Sequence, residues 1–352
     1  MKELFNSDLF EKLRNSYICG KLKPENNVIN GNINTPENVV EKYPEKIEDM
    51  EKYSAAGIEA IKNGEFAVTI VNGGMATRFG NKVKGIVEVF DDKSFLEIKI
   101  DNIKNISEKT GGKIYVFVMN SVFTDEQTRL HFEENDYFGY DKKYIIFFNQ
   151  YYFKRILRDG KIDNGSIQPL YGSGHGDFYY AFKEFIIPKI KNENIKYILY
   201  SNVDNLGAYI DPVILGYHIN REKKITVELA QKYPDDKGGA PAIVDGKPQI
   251  VEEFKFPRSF NQADISSFNT ATYIFSKSIF DSEVELPFYV VEKQNENREN
   301  VIQFERLTGD LTVFFDANYL LIDREKRFHP IKTQEDLINR RNVLKKLYSC
   351  FF

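Results

Sequence analysis

The chain has 352 residues, a net charge of −4, 42% apolar and 28% charged residues, a mix that suits a folded globular enzyme and not a disordered chain. The charge balance speaks against a general nucleic-acid binder, and no apolar run is long enough to span a bilayer. Cys19 and Cys350 stand at opposite ends and support neither a disulfide framework nor a metal cluster, which fits a reducing cytoplasm; Met1 to Phe10 lacks the apolar core of a signal peptide.

Lys21 to Pro44, rich in Asn and Pro, reads as a loop or wrapping arm. Periodicity predicts a helix from Lys46 to Lys62, stopped at Gly64. Phe66 to Val71 is apolar almost throughout, as a strand buried on both faces of a parallel sheet must be. Ser94 and Glu97 form a capping box at the start of the next helix. Strands at Ile114 to Met119 and Tyr144 to Phe148 follow, with Thr124 and Gln127 as a capping pair between them. A helix over Asp177 to Lys191 leads to a strand at Tyr197 to Ser201, and Asp211-Pro212 opens another helix. Alternating strands and helices specify a doubly wound, mostly parallel mixed α/β sheet. After Lys223 the pattern turns β-rich, at Ile225 to Ala230, Ala240 to Val244, Gln249 to Phe254 and Thr272 to Ser276, which suggests a sheet extension carrying a second substrate. Thr333 with Asp336 caps a last helix. The expected division is a helical arm over residues 1–64 and a catalytic domain over 65–352, with the extension at about 223–300.

The chemistry gathers at strand ends. Asn72-Gly73-Gly74-Met75-Ala76-Thr77-Arg78-Phe79-Gly80 follows the first buried strand; glycines there admit close backbone approach and an anion-binding nest. It matches neither the P-loop nor the dinucleotide fingerprint. Arg78, Lys82 and Lys84 could neutralise a polyphosphate, although lysine runs are commonly just solvated surface. Gln150 ends a strand and carries the donors and acceptor that read a base edge. Tyr171-Gly172-Ser173-Gly174-His175-Gly176-Asp177 opens a helix, whose free N–H groups attract anions. Asp204, in Ser201-Asn202-Val203-Asp204-Asn205, could bind Mg²⁺ or simply close an Asx turn. The loop, Gln150 and Asp204 share the carboxyl edge of the sheet, where open α/β sheets hold ligands. His131, His218 and His329 show no metal spacing, and no nucleophilic triad is apparent.

In order, Asn72-Gly73-Gly74, Met119-Asn120-Ser121, Phe148-Asn149-Gln150, Gly174-His175-Gly176-Asp177, Ser201 to Ala208, Lys237-Gly238-Gly239, Phe268-Asn269-Thr270, Val301-Ile302-Gln303 with Glu305, and Pro330-Ile331-Lys332-Thr333 resemble the UTP–sugar-1-phosphate uridylyltransferases, the UDP-glucose and UDP-N-acetylhexosamine pyrophosphorylase family. The resemblance implies a nucleotide-sugar-transferase-like fold and a reaction of UTP with a sugar 1-phosphate, glucose 1-phosphate before N-acetylhexosamine 1-phosphate. It implies Gly73 and Gly74 on the nucleotide, Gln150 and Gly174 on uracil, and His175 on the nucleotide and phosphates. It further implies Mg²⁺ on Asp204, the substrate sugar near Asn202, Gly239, Glu252 and Asn269, and the reacting phosphates on Lys84, Lys332 and Arg78. Ala76 and Val83 replace the usual third loop glycine and the usual proline. The chain ends shortly after its last helix, without the β-helix domain of larger relatives, so a monomer is expected. A silent UDP-sugar-binding homologue and a glycosyltransferase are the alternatives; Asp204-Asn205 in place of Asp-x-Asp disfavours the latter.

Overall fold

In the computed structural model, residues 4–36, 38–76, 82–234, 236, 238–295 and 297–349 are described. Eight strands make the main sheet: β1 (Val40–Lys42), β2 (Phe66–Val71), β3 (Tyr115–Asn120), β4 (Ile145–Asn149), β5 (Tyr197–Asn202), β6 (Ile225–Gln231), β7 (Ser267–Ser276) and β8 (Ala317–Leu321). Their spatial order is β1-β8-β6-β7-β5-β2-β3-β4. Every neighbouring pair is parallel except those made by β7, which runs antiparallel to both β5 and β6. The expected doubly wound, mostly parallel mixed sheet is therefore present.

The helices α1 (Ser7–Ile18), α2 (Ile47–Lys62), α3 (Phe95–Thr110), α4 (Asp125–Glu134), α5 (Phe178–Phe185), α6 (Pro212–Arg221) and α7 (Gln334–Ser349) surround it. Alternation along β2 sends Phe66, Val68 and Ile70 to a core shared with α2, α3, α6 and α7. Ala67 faces the opposite core, where α5 packs Phe178 and Phe182 on Phe117, Ile198 and Tyr200. Each large apolar side chain so buried contributes about 1.5–3 kcal/mol.

Local signals explain most boundaries. Ser94 Oγ accepts from the Glu97 N–H at 3.1 Å, and Asp211 Oδ1 accepts from Val213 N–H at 2.8 Å, each fixing a helix start. Three expectations differ. The helix begun at Asp177 gives out after Phe185, because Pro188 disfavours helical backbone at the residue before it. Thr124 makes no cap for α4; its backbone is already helical, and its hydroxyl takes the Ser121 N–H at 2.9 Å. The stretch read as a loop or arm supplies β1, paired with β8 at the edge of the main sheet.

The β-rich stretch also divides differently from a simple extension. Ile225–Gln231 and Ser267–Ser276 lie within the main sheet, whereas Ala240–Val244 and Lys247–Val251 form a separate hairpin joined by Ile33–Asn34. A second hairpin, Tyr289–Gln294 with Asn300–Glu305, pairs with Ile156–Leu157. Among the described residues no helix is long and apolar enough to cross a membrane.

Helices α2 and α6 pack backbone to backbone. A Cβ on Gly216 would overlap the Tyr53 carbonyl, and one on Gly57 would overlap the Pro212 carbonyl. Neither backbone can swing aside as a side chain does, so Gly216→Ala is expected to cost about 1–3 kcal/mol by overpacking. Urea denaturation measures this; an unchanged midpoint would contradict so close a crossing.

Candidate active site at the carboxyl edge of the sheet

The carboxyl ends of β2, β3, β4 and β5 share one edge, and the loops leaving them are tied together by buried amides. Asn72 is fully buried. Its Nδ2 donates to Asn120 Oδ1 at 3.0 Å and to Thr128 Oγ1 at 2.8 Å, and its Oδ1 accepts from Gly85 N–H at 3.1 Å. One side chain thus joins β2, β3, α4 and the turn carrying Lys84. The Lys84 N–H reaches the Gly74 carbonyl at 3.4 Å, so the Gly73-Gly74 loop folds back over that turn. Val83, in the position where the resemblance led us to expect proline, is fully buried and pairs with Met75 across a short hairpin rung. Arg78 lies outside the described residues, and so does Lys237.

Gln150 stands between two glycines. A Cβ on Gly73 would come within 2.7 Å of Gln150 Nε2, and one on Gly172 would overlap it. The glycines leave the width of one amide, which holds Gln150 beside the Gly73-Gly74 loop.

Gly174 has φ +95°, a conformation that only glycine takes without strain, and a Cβ there would overlap the Arg306 carbonyl. The glycines of this segment therefore serve a close approach to residues 305–308. His175 is positioned by the same contact. Thr308 N–H donates to His175 Nδ1 at 3.0 Å, while Thr308 Oγ1 donates to the His175 carbonyl at 2.8 Å. Burial lowers the imidazole to about 4. With Nδ1 accepting, the proton sits on Nε2, and His175 offers a neutral N–H donor, not a cation. The ¹H–¹³C NMR signal of its ring is expected to stay constant from pH 8 down to 5; a titration near the ordinary value of about 6.5 would contradict this arrangement.

Asp204 follows Asn202, the last residue of β5, in a turn held from both sides. Asn205 Oδ1 accepts from Gly207 N–H at 3.1 Å and from His329 N–H at 2.9 Å. Beneath the turn, the buried Lys99 donates to Ser201 Oγ at 3.2 Å and to the Asn205 carbonyl at 3.0 Å. Burial pushes this amine down to about 7, with the Asp204 charge opposing the shift. Lys84 Nζ forms an ion pair with Asp204 Oδ2. On the other side Pro330 bridges to Asn205, and Ile331 N–H donates to the Asp204 carbonyl at 3.1 Å. Lys332 is the next residue; its own N–H is taken by Asp336 Oδ2 at 2.8 Å, the acid that completes the cap of α7 with Thr333. The segment before Lys332 is a single bridge to Asn205 and not the end of a strand.

A second group assembles on the hairpin beside β7. Asn269 N–H donates to the Gly239 carbonyl at 2.8 Å, Asn269 Nδ2 donates to Tyr273 at 2.6 Å, and a Cβ on Gly239 would stand 2.8 Å from Glu252 Oε1. The two groups are linked by residues 308–312: Thr308 on His175, Gly309 against Ile250, and Thr312 Oγ1 accepting from Ile250 N–H at 2.8 Å.

Sequence reasoning missed Thr308 and Lys99. Thr308 carries no local signal, since its partner lies 133 residues away. Lys99 could have been found: with Phe95, Leu96 and Ile103 it falls on the apolar stripe of α3. Among the described residues no group of three or more His, Cys, Asp or Glu side chains gathers to hold a metal. A single carboxylate at a strand end, as Asp204 is, fits a divalent ion that arrives with phosphate ligands.

Comparison with known proteins places the chain in a family. The UTP–glucose-1-phosphate uridylyltransferase family model matches residues 7–349. The chain is 28% identical over 291 residues to UTP–glucose-1-phosphate uridylyltransferase 2 of Dictyostelium discoideum, covering 78% of this chain and 57% of that protein. It is 24% identical over 330 residues to the UTP–glucose-1-phosphate uridylyltransferase of Saccharomyces cerevisiae, covering 88% of this chain and 63% of that one. The chain thus spans less than two thirds of the length of these curated relatives. Among solved structures, the UDP-N-acetylglucosamine pyrophosphorylase of Trypanosoma brucei superposes with a TM-score of 0.77 at 21% identity, covering 95% of this chain and 74% of that one. A UDP-glucose pyrophosphorylase variant from Leishmania major gives 0.71 at 22% identity, covering 92% and 73%; both likenesses concern the fold. On the whole-chain family match, the chain belongs to the UTP–glucose-1-phosphate uridylyltransferase family.

Proposed function

We propose that this chain transfers the uridylyl group of UTP to a sugar 1-phosphate, glucose 1-phosphate in the first instance, with release of pyrophosphate and with Mg²⁺. The observation that carries this reading is the convergence of Lys84, Asp204 and the Pro330–Lys332 segment on one point, beside the Gly73-Gly74 loop. A sugar-phosphate oxygen attacks the α-phosphorus of UTP as the bond to the β-phosphate oxygen breaks. Such a reaction needs positioning and positive charge more than an acid or a base. Lys84, Lys332 and Arg78 supply the charge, and Gly73 and Gly74 bring backbone close to the nucleotide. Gln150 and Gly174 read uracil, and His175 donates from Nε2 toward the nucleotide. Asn202, Gly239, Glu252 and Asn269 hold the sugar. Asp204 holds Mg²⁺, which when bound neutralises charge on the phosphoryl oxygens.

We divide the chain into a helical arm over residues 1–64, whose β1 joins the main sheet and whose α2 packs onto it, and a catalytic domain over 65–352, acting as a cytoplasmic monomer. The exposed thiol of Cys19 suits a reducing compartment.

Base choice tests the reading. A pocket with Gln150 fixed for the polar edge of uracil should favour UTP over ATP or GTP by on the order of a hundredfold in kcat/KM. Equal rates with all three nucleotides would overturn it, and binding of a UDP-sugar without turnover would point to a silent homologue.

A further inference from the structure

The guanidinium of Arg324 sits where three segments of the proposed site meet. Its Nη1 donates to Asp236 Oδ2 at 2.6 Å and its Nη2 to Asp236 Oδ1 at 2.9 Å, a two-pronged ion pair with side chains only 13% and 16% exposed. Nη1 also donates to the Gln231 carbonyl at 2.7 Å. One side chain thus holds both ends of residues 231–236, where the loop that runs into Gly238 and Gly239 begins. Tyr233 N–H closes the turn on Asp236 Oδ2 at 2.7 Å, and the Tyr233 ring lies 4.1 Å from the guanidinium. The guanidinium also faces Phe268 at 5.1 Å and Phe328 at 5.2 Å, two rings that pack edge to face at 5.0 Å. Phe268 precedes Asn269 on β7, and Phe328 stands four residues before Lys332.

We infer that Arg324 is a positioning residue for the sugar 1-phosphate: it fixes the Gly238-Gly239 loop, and with it the sugar, against the segment that carries Lys332. The inference rests on the sugar and phosphate assignments proposed above. By those assignments the substrate is gripped at two ends, its ring by Gly239 and Asn269 and its phosphate by Lys332. The sugar loop leaves β6 and Lys332 follows β8, and the ion pair joins them across 88 residues of sequence. The attacking oxygen must stand in line with the α-phosphorus and the departing oxygen, and a displacement of about 1 Å can cost on the order of a hundredfold in rate. Arginine suits the task, because its planar fork matches both carboxylate oxygens while its faces stack on rings; lysine offers neither. The partners of Arg324 belong to residues 231–236, 268 and 328. None of these is assigned to the nucleotide, so UTP binding is expected not to depend on the pair.

Steady-state kinetics with UTP and glucose 1-phosphate, beside thermal melts, test this. Arg324→Ala is expected to raise KM for the sugar phosphate about tenfold, while KM for UTP stays within about twofold of the wild-type value. Arg324→Lys keeps the charge but loses the fork, and is expected to recover little of the loss. Asp236→Asn, a milder change on the loop itself, is expected to give the same one-sided defect at smaller size. Added to Arg324→Ala it should do no further harm, because the pair is already broken. A merely structural pair would lower the melting temperature and leave both KM values alone. A KM for the sugar phosphate within about twofold of wild type in folded Arg324→Ala, or in Asp236→Asn should that variant not fold, would overturn the inference. So would a KM for UTP raised as much as that for the sugar phosphate. Either result leaves the uridylyl-transfer reading standing. Absence of pyrophosphate release from the wild-type protein with any sugar 1-phosphate would overturn both.

Discussion

Lys332→Ala is expected to fold normally, to bind UTP normally, and to lose turnover by on the order of a hundredfold, about 3 kcal/mol of transition-state stabilisation. The expectation follows from how the residue is held. The backbone on one side of it is fastened to the Asp204 carbonyl through Ile331 N–H at 3.1 Å. Its own N–H is fastened to Asp336 at 2.8 Å, inside the cap of α7. The side chain is exposed, so truncating it opens no cavity, and the melting temperature should not move. Negative charge grows on the α-phosphoryl oxygens and on the departing pyrophosphate, so a cation there acts mainly on kcat. Steady-state rates beside a thermal melt decide the matter. A folded variant with near-normal kcat would assign the phosphates to other cations, Lys84 and Arg78 first. Asp336→Ala should show a weaker form of the same defect, because it loosens the segment without removing the charge.

Asp204→Ala is expected to have an effect at least as large on turnover, again on the order of a hundredfold or more, with little change in sugar-phosphate binding by calorimetry. Two consequences combine. The variant removes the only protein carboxylate proposed for Mg²⁺, and it leaves the Lys84 ammonium, only 17% exposed, without its anion. Asp204→Asn separates these consequences. If the carboxylate serves the metal, Asn should be nearly as impaired as Ala, and the Mg²⁺ concentration for half-maximal rate should rise. If the carboxylate mainly positions Lys84, Asn should recover much of the rate. Unchanged turnover in Asp204→Ala would place the metal elsewhere.

The parts of this molecule that were legible in the sequence are those whose cause is local. Phe66–Val71 could be read to the residue because a strand covered on both faces must be apolar throughout. The starts of α3, α6 and α7 were written in Ser94, Asp211 and Thr333, whose side chains satisfy the first free N–H groups. Gln150 and Asp204 were legible as strand-end residues because strand ends themselves could be placed. Contacts of long sequence separation were not legible. Nothing near Gly174 announces that residues 305–308 lie against it, and so the tautomer of His175 and the role of Thr308 could not be foreseen. Val40–Lys42 is too short for periodicity to register and is a strand only because β8 offers it an edge. The capping pair at Thr124 failed for a related reason: the motif is not sufficient, and the Ser121 N–H competed for the hydroxyl. Lys255 and Asp310 meet across 55 residues of sequence, a contact that nothing local announces.

The most direct test of the central claim follows the phosphorus itself. UTP labelled at the α-phosphate is incubated with the protein, Mg²⁺ and glucose 1-phosphate, and the products are separated. The account predicts that label passes into a UDP-sugar in step with pyrophosphate release, only when a sugar 1-phosphate is present, and that the transfer collapses in Lys332→Ala and Asp204→Ala. Label that remains in UTP with every sugar 1-phosphate tried, or that appears as UMP whether or not the sugar phosphate is added, would contradict it.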